Sequence, residues 1–454
     1  MLIMLFFSCK GEIMIMEQQN YFKEFAKYTS LNVLGMIGLS CYILADTFFV
    51  SKALGANGLA ALNLAIPIYS FINGSGLMIG MGGATKYSIF KSQNNFKKAN
   101  NIFTQAFFLV VTMAAIYFLI GILFSGPLAK LLGATKSVYD MSSVYLRVIL
   151  VFAPMFMMNN LLLCYVRNDG APQLSMMAML GGSFSNIVLD YVFMFPLDMG
   201  IFGAAFATGL APVISILILS PFFIKKLNNF KLVKTKLVDR HILDIVSSGL
   251  PSLVTEVSSG IVMIIFNMII LNLAGNTGVA AYGVIANLSL VVISIYTGIS
   301  QGIQPLLSSG YGSGQIKKVH IIFKYAIFSV VIISICIYLI IFFKCDVIAG
   351  IFNSENNIAL QNIAENGLKI YFVGCLFAGI NIVSSIYFTS IEHPLPAHVI
   401  SLLRGFIIII PMAFFLSLIA NMNGVWATFP VTEFIVCTIS VILIKVTSKK
   451  MMKM

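Results

Sequence analysis

Long apolar segments separated by short polar turns dominate the chain. Twelve segments are long enough to cross a bilayer as helices, because one helical span needs about 20 mainly apolar residues. The predicted spans are 31–51, 59–83, 102–125, 141–164, 174–196, 201–224, 247–273, 279–305, 320–343, 367–389, 397–420 and 424–445. Two pairs are joined only by tight turns, at Gly200 and at 421–423. The pattern predicts an all-α polytopic membrane protein.

The composition supports this prediction and excludes several classes of protein. Of 454 residues, 59% are hydrophobic and 10% are charged, and the mean hydropathy is +0.97. Soluble proteins are about 45–50% apolar and about 25% charged, so this chain has too few charges to cover a water-exposed surface. Membrane β-barrel strands would alternate apolar and polar residues instead of running apolar. Twelve spans leave room for short loops and for no large soluble domain.

The sequence also repeats itself at an offset of about 220 residues. LGANGLAAL at 54–62 matches LAGNTGVAAY at 273–282, and YLRVILVF at 145–152 resembles GLKIYFVG at 367–374. GIFGAAFAT at 200–208 likewise resembles NMNGVWATF at 421–429. Six spans in each half give parallel repeats about an axis along the membrane normal. We therefore expect two six-helix lobes related by a parallel pseudo-two-fold repeat.

The basic residues predict the orientation in the membrane. The net charge is +12, and about 22 of the 28 Lys and Arg residues, Arg167 among them, fall on one side if the N-terminus is cytoplasmic. Because Lys and Arg concentrate in cytoplasmic loops, we expect both termini in the cytoplasm. Arg and Lys are nearly absent from the predicted spans, so we expect the buried charges to be acidic. The basic residues form no nucleic-acid motif, and we expect no nucleic-acid partner.

These patterns divide the chain into five parts. We expect residues 1–20 to be a disordered cytoplasmic segment, and Met16 is an alternative translation start. The N-lobe (21–224) and the C-lobe (241–446) flank a basic cytoplasmic linker, 225–240, and residues 447–454 form a basic tail. We expect a monomer whose main partner, besides its substrate, is the lipid bilayer.

Residues for enzymatic chemistry or a resident cofactor are missing from the sequence. The seven cysteines show no CxxC pair, the four histidines form no HExxH, and no Gly-Lys-Ser/Thr phosphate loop occurs. These are the motifs that would indicate a metal site or a nucleotide-driven motor. We therefore expect no catalytic residues, no cofactor and no enzyme activity.

Four acidic residues lie inside the apolar segments. They are Asp46, Asp190, Glu256 and, near the end of its segment, Glu433. A charged carboxylate at bilayer depth is costly, and such residues usually mark ion or proton pathways. A carboxyl group there can take up a proton on one side and release it on the other, or it can bind Na⁺ together with neighbouring oxygens.

One helix face is predicted to gather several of these polar groups. Asn186 precedes Asp190 by four residues, so both side chains project from the same face of one helix. Thr208 lies on the next span, which returns antiparallel beside them. We therefore expect the side chains of Asn186, Asp190 and Thr208 to lie close together.

Several long motifs resemble the multidrug and toxic compound extrusion (MATE) family. The clearest is SNIVLDYVFMFPLDMGIFGAAFATGLAPVIS at 185–215, which is similar to the family's fifth and sixth helices. Residues 45–68 resemble its first two helices, and GLPSLVTE at 249–256 and GISQGIQPLLSSGYGSG at 298–314 resemble the seventh and eighth. The resemblance covers nearly the whole chain from about residue 20 and favours the DinF-type branch over the NorM-type branch.

This resemblance implies a cation-coupling site and a central cavity. The implied coupling residues are Asp46, Asn186, Asp190 and Thr208, with a backbone carbonyl at about Ala204. Glu256, Gln301 and Gln304 are the implied cavity or substrate residues. The tenth span carries no acidic residue, so we do not expect the C-lobe cation site of the NorM-type branch.

The resemblance implies a multidrug antiporter of a bacterial cytoplasmic membrane. Such a transporter exports cationic or amphipathic drugs, and so confers antibiotic resistance, by alternating access coupled to H⁺ or Na⁺. The alternative is a lipid-linked saccharide flippase of the same superfamily. A flippase would favour a basic cavity for pyrophosphate headgroups, whereas acidic buried residues favour cationic substrates.

Overall fold

The structure is a bundle of long helices. The computed structural model describes residues 2–235, 239–353 and 357–451, with side chains for 20–235, 240–353 and 357–447. A 3₁₀ turn, Phe372–Gly374, and a π-helical turn, Leu403–Ile407, interrupt the helices. The α-helices are α1 Leu2–Ser92, α2 Phe96–Leu131, α3 Tyr139–Val151, α4 Ala153–Asn168, α5 Pro172–Met194, α6 Gly200–Ile224, α7 Asp239–Gly312, α8 Ile316–Phe352, α9 Ile358–Tyr371, α10 Cys375–Ser390, α11 Pro394–Leu402 and α12 Ile409–Met451.

The number of spans agrees with the hydropathy pattern. Within the described ranges, eight helical segments are long and apolar enough to cross a membrane, or nine if the bent pair α3 and α4 counts as one. Three of them hold two spans each, because the backbone leaves the helical conformation at Gly55, at Gly275 and at Ala420 and Asn421. Counted in this way, the described chain contains twelve spans, and the predicted fold class is confirmed.

The two glycine turns are equivalent in the repeat. Gly55 has φ 62° and ψ −152°, and Gly275, 220 residues later, has φ 61° and ψ −157°. This region of backbone conformation is essentially restricted to glycine. Each turn reverses the chain at the same end of its lobe, which we call the hairpin end. The parts of α1 and α7 before these glycines are called their first arms, and the parts after the glycines are called their second arms. The opposite end, which holds residues 225–235, we call the linker end.

We expect Gly275→Ala to destabilise the protein by about 1–3 kcal/mol, because alanine must adopt a conformation that a Cβ disfavours. Thermal unfolding of the purified protein in detergent would show this as a lower midpoint. Gly283→Ala is the matched control on the same helix, since a Cβ there meets no atom within 4 Å. Equal midpoints for the two variants would contradict the expectation.

Each lobe has its own buried core. The N-lobe core contains Tyr87, Tyr165 and Phe230, and the C-lobe core contains Tyr296 and Trp426. The outer surface is also apolar, with side chains such as Phe343 and Leu418 70% and 85% exposed. An exterior of this kind is suited to lipid contact, because hydrocarbon offers no hydrogen bonds to polar groups.

The linker follows the N-lobe as a strap of residues 228–233. Its backbone nitrogens at Asn229, Lys231 and Val233 donate hydrogen bonds to side-chain oxygens of Asp169, Asn100 and Thr104. Phe230 is buried among aromatic rings of the N-lobe. The described part of the linker therefore belongs structurally to the N-lobe. The predicted domain bounds stay predictions, and residue 1 and the side chains of 2–19 lie outside the described part.

The lobes meet closely at the linker end, where α1 lies against α7. A Cβ at Gly249 would clash with the Met78 carbonyl, and a Cβ at Gly302 would lie 2.8 Å from the Thr29 Cα. Ion pairs also connect the lobes there: Lys86 Nζ lies 2.6 Å from Glu392, and Lys318 Nζ lies 2.7 Å from Glu24. These contacts close the linker end.

Candidate functional site

The predicted coupling residues come together in the N-lobe. Asp46 on α1 is 7% exposed, Asn186 and Asp190 on α5 are fully buried, and Thr208 on α6 is 5% exposed. Ala204, one turn before Thr208 on α6, is also fully buried. Small residues at 203–205 and 181–182 let α5 and α6 approach closely, and the site lies where these helices meet the first arm of α1.

Hydrogen bonding satisfies only part of this cluster. When the Asn186 amide is oriented to suit its neighbours, its nitrogen lies 3.0 Å from Asp190 Oδ2 and its oxygen lies 3.2 Å from the Thr208 amide nitrogen. Two buried carboxylate oxygens, Asp46 Oδ1 and Asp190 Oδ1, have no hydrogen-bond partner within the described chain. Buried polar groups are nearly always paired, so these oxygens suit a proton or a cation that comes and goes.

The donor set favours an alkali cation or a proton over a transition metal. Within the described ranges, no group of three or more His, Cys, Asp and Glu side chains gathers that could hold a metal ion. The site offers two carboxylates with amide and hydroxyl oxygens, which are the hard donors that hard cations take. These residues therefore fit Na⁺ as a transported ion, and they fit H⁺ equally well.

Three tyrosines lie next to the site. Tyr42 lies one turn before Asp46 on α1, and its hydroxyl is 3.0 Å from that of Tyr69 on the second arm. Tyr145 on α3 is close enough to interact electrostatically with both Asp46 and Asp190. The sequence analysis did not single out these tyrosines, because their role depends on which helices pack together.

A cavity of about 70 Å³ lies at the N-lobe side of the C-lobe, and the N-lobe residues Leu77 and Met81 complete its wall. Its walls come from the second arm of α1, both arms of α7, α10 and the α11 region. The lining residues are Leu77, Met81, Pro251, Ser252, Thr255, Glu256, Thr297, Ser300, Gln301, Ile382, Ser385, Ile386, Ser401 and Arg404. The lining combines apolar side chains with hydroxyl groups and two charged groups.

Glu256 occupies the wall that faces the N-lobe. Asn73 donates a hydrogen bond of 3.1 Å to Glu256 Oε2, and Asn160 donates one of 2.8 Å to Asn73 Oδ1. A chain of two amides thus connects the cavity carboxylate to the N-lobe. This position agrees with the predicted placement of Glu256 in the cavity.

The two predicted cavity glutamines have different surroundings. Gln301 lines the cavity, and its Oε1 accepts a hydrogen bond of 3.1 Å from Arg167 Nη1. Gln304 is fully buried and binds Asn168 and Thr85. Contrary to its predicted placement, Gln304 is not among the residues that line the cavity in this conformation. One helical turn further along α7, it lies in the packed contact between the lobes.

Arg167, which is buried, and Arg404, which is partly buried, correct the expectation that buried charges would be acidic. Arg167, predicted as a cytoplasmic residue, is 1% exposed, and its Nη1 also donates a 2.7 Å hydrogen bond to Asn32. Arg404 forms an ion pair with Glu433, whose exposure is 2%. Arg404 lies in a strongly apolar segment, and nothing in the sequence pattern paired it with Glu433. The expectation failed for Arg404 because hydropathy averages hide a single charged residue. It failed for Arg167 because contact between the lobes buries a residue that lies beyond the predicted span.

Comparison with known proteins gives one consistent result. A profile described as MatE matches residues 33–192 and 251–415, one segment in each lobe. The chain is 24% identical over 430 residues to the multidrug export protein MepA of Staphylococcus saprophyticus, and 24% identical over 432 residues to MepA of Staphylococcus aureus strain MRSA252. Both alignments cover 94% of this chain and 94% of the relative.

Solved structures share the fold. A multidrug resistance MATE family transporter in an outward-facing conformation superposes with a TM-score of 0.89 at 22% identity, covering 95% of this chain and 97% of that one. A MOP superfamily transporter from Pyrococcus furiosus superposes with a TM-score of 0.88, with the same identity and coverage.

Proposed function

The chain belongs to the MatE family, and from this premise we propose that it exports cationic and amphipathic drugs in exchange for H⁺ or Na⁺. As a member of a transporter family it is not an enzyme. Two relatives named multidrug export proteins match it over 94% of their length, which supports drug export. The cluster of buried, partly unpaired oxygens around Asp46 and Asp190 supports cation coupling.

The site can change state because its two carboxyl groups influence each other. Asp46 and Asp190 lie close enough to interact electrostatically, and two negative charges in a poorly solvated space repel each other. A proton or a Na⁺ ion at the site removes this repulsion. Because Asp46 lies on α1 and Asp190 on α5, occupancy of the site changes how these two helices pack.

Ion entry supplies the driving force for export. One elementary charge moving through the membrane potential is worth about 2.3 kcal/mol per 100 mV. A drug and an ion that favour opposite arrangements of the lobes are then exchanged, since a ligand shifts an equilibrium only by its differential affinity for two states. The closed linker end and the cavity above it represent one of these arrangements.

The charge of the cavity disfavours the flippase alternative. A pyrophosphate headgroup carries several negative charges and would need several unpaired basic groups. Of the residues that line the cavity, Arg404 is the basic one, it is paired with Glu433, and Glu256 adds a carboxylate. Such a cavity suits a cation better than a pyrophosphate.

The surroundings of the protein follow from the same features. The bacterial relatives and the apolar exterior support a multi-pass protein of a bacterial cytoplasmic membrane. Exposed lysines cluster at the linker end, among them Lys97, Lys225 and Lys317. Because basic residues concentrate on the cytoplasmic side, we place the linker end and both termini in the cytoplasm, and we propose that the monomer is the functional unit.

The test is transport by the purified protein in proteoliposomes. We expect ethidium transport to require an imposed gradient, and the pH gradient and the Na⁺ gradient are applied separately to identify the coupling ion. Saturable exchange driven by either gradient supports the proposal. Ethidium movement that neither gradient accelerates would contradict coupled antiport.

A further inference from the structure

The π-helical turn Leu403–Ile407 places a guanidinium in the wall of the cavity. Arg404 lies in this turn and is one of the residues that line the cavity. Single π-helical turns within α-helical segments are uncommon and occur frequently at functional sites. The neighbouring Gly405 allows the turn to pack against Ser258 of α7, where an added Cβ would lie 2.7 Å from the hydroxyl oxygen.

Glu433 holds Arg404 from behind through one carboxylate oxygen. Arg404 Nε and Nη2 donate hydrogen bonds of 3.0 and 2.7 Å to Glu433 Oε1. Asn381 donates a 2.7 Å bond to Oε2, and Ser440 fixes the Asn381 amide by a 3.0 Å bond to its oxygen. Glu433 is thus immobilised on both sides and keeps the guanidinium in place.

Part of the guanidinium is still free to bind a ligand. The hydrogen bonds to Glu433 use Arg404 Nε and Nη2 and leave Nη1 unused within the described chain. The Arg404 side chain retains 13% exposure, against 3% for the Glu433 side chain. Guanidinium groups bind carboxylates with two parallel hydrogen bonds, because the two groups have matching planar geometry. Glu433 neutralises the charge of Arg404, so the partial burial of this guanidinium is tolerated.

The rest of the cavity offers two different polar surroundings. Glu256 provides a carboxylate on the side that faces the N-lobe, where Asn73 orients it. The remaining wall is mainly apolar and includes six hydroxyl side chains, which are Ser252, Thr255, Thr297, Ser300, Ser385 and Ser401. A ligand in this cavity meets an acid at one wall and a base at another.

We propose that Arg404 forms an anion subsite in this cavity, and that the cavity widens beyond about 70 Å³ as the lobes part. In the widened cavity Arg404 binds the carboxylate of an amphiphilic substrate whose cationic group faces Glu256. This inference rests on the proposed export function and narrows its substrates to include molecules with both a positive and a negative group. Arg404 binds the substrate carboxylate through its free N–H groups while Glu433 holds the opposite edge. A purely structural ion pair, which only ties the π-helical turn to α12, is the competing explanation.

The experiment compares two dyes that differ in one group. A cationic rhodamine methyl ester and its free acid share the same fluorophore, and only the free acid carries a carboxylate. Fluorescence anisotropy measures the binding of each to the purified full-length protein in detergent. The principal variant is Arg404→Gln combined with Glu433→Gln, which removes both charges together and leaves no unpaired buried acid.

We expect the double variant to bind the free acid about tenfold more weakly or worse, as loss of hydrogen bonds to a charged group predicts, and to keep its affinity for the ester. Glu433→Gln alone is expected to strengthen binding of the free acid. Arg404→Lys keeps the charge but loses the planar fork, so it is expected to weaken binding of the free acid alone. Arg147→Gln, on an exposed arginine of α3, is the matched control.

Equal losses for both dyes, or no loss for either, would overturn the anion subsite in favour of a structural pair. If the double variant does not fold, Arg404→Lys decides by the same comparison. The result is separable from the proposed function because binding in detergent needs no ion gradient. Discrimination between the dyes without gradient-driven transport contradicts only the export proposal, and transport without discrimination contradicts only the subsite.

Discussion

Asp190→Asn is expected to reduce gradient-driven ethidium efflux to background while the protein still folds and inserts. The substitution preserves the size of the side chain and the hydrogen bond from Asn186, but it removes the charge that responds to H⁺ or Na⁺. The site then has one carboxylate, Asp46, in place of two interacting ones. Efflux from cells or proteoliposomes, with the protein amount measured in the same membranes, gives the result.

The control for this variant is Asp198→Asn. Asp198 is an exposed residue in the turn between α5 and α6, so the same chemical change there is expected to leave efflux unaltered. A drop in efflux for both variants would indicate a general loss of function. Ethidium efflux at the wild-type rate in Asp190→Asn would contradict the assignment of the coupling site.

Gly249→Ala is expected to abolish transport by keeping the linker end open. Gly249 on α7 faces the second arm of α1, and an added Cβ would overlap the backbone carbonyl of Met78. A backbone atom cannot rotate away as a flexible side chain can, so the lobes must separate. In an isolated helix the same substitution would be stabilising by about 0.5–1 kcal/mol. A loss of transport therefore has to come from the clash between the lobes and not from a weakened helix.

Distances between spin labels at positions 97 and 317 measure this separation. These residues are exposed lysines at the linker end, one in each lobe, and a background without cysteines lets the labels be placed there alone. We expect a longer mean distance in Gly249→Ala than in the wild type. Gly283→Ala on the same helix, where a Cβ meets open space, is expected to leave both distance and transport unchanged. An unaltered distance in Gly249→Ala would refute the proposed closure.

The sequence predicted the features that depend on local pattern. Twelve apolar segments correspond to twelve spans, and the matched glycines of the repeat, Gly55 and Gly275, adopt almost the same unusual backbone conformation. The grouping of Asn186 with Asp190 followed from helical spacing alone. Thr208 was expected beside them because the next span returns antiparallel. Their meeting with Asp46 followed from the family resemblance, since residues on distant helices carry no mutual spacing signal.

Features that depend on tertiary packing were not predictable in this way. Arg404 and Glu433 are 29 residues apart on separate helices, and each looks like an isolated charge in an apolar run. Arg167 precedes the polar turn after α4, which is the usual place for a solvated basic residue, yet the closing of the lobes buries it. The long helix α1 likewise reaches Ser92, beyond the predicted span end at 83, and the polar residues Thr85 and Ser88 are buried in this extension.

The burial of Arg167 affects how easily the protein changes between its two conformations. Its guanidinium is held by the neutral oxygens of Asn32 and Gln301, and within the described residues no carboxylate pairs with it. A buried charge without an opposite charge is costly, so this arginine makes the closed contact weaker than its tight packing would suggest. When the lobes separate, water reaches the Arg167 guanidinium, which is then hydrated again. A transporter alternates quickly only if neither of its two conformations is much more stable than the other. Arg167, a buried cation between the lobes, limits the stability of the conformation in which the linker end is closed.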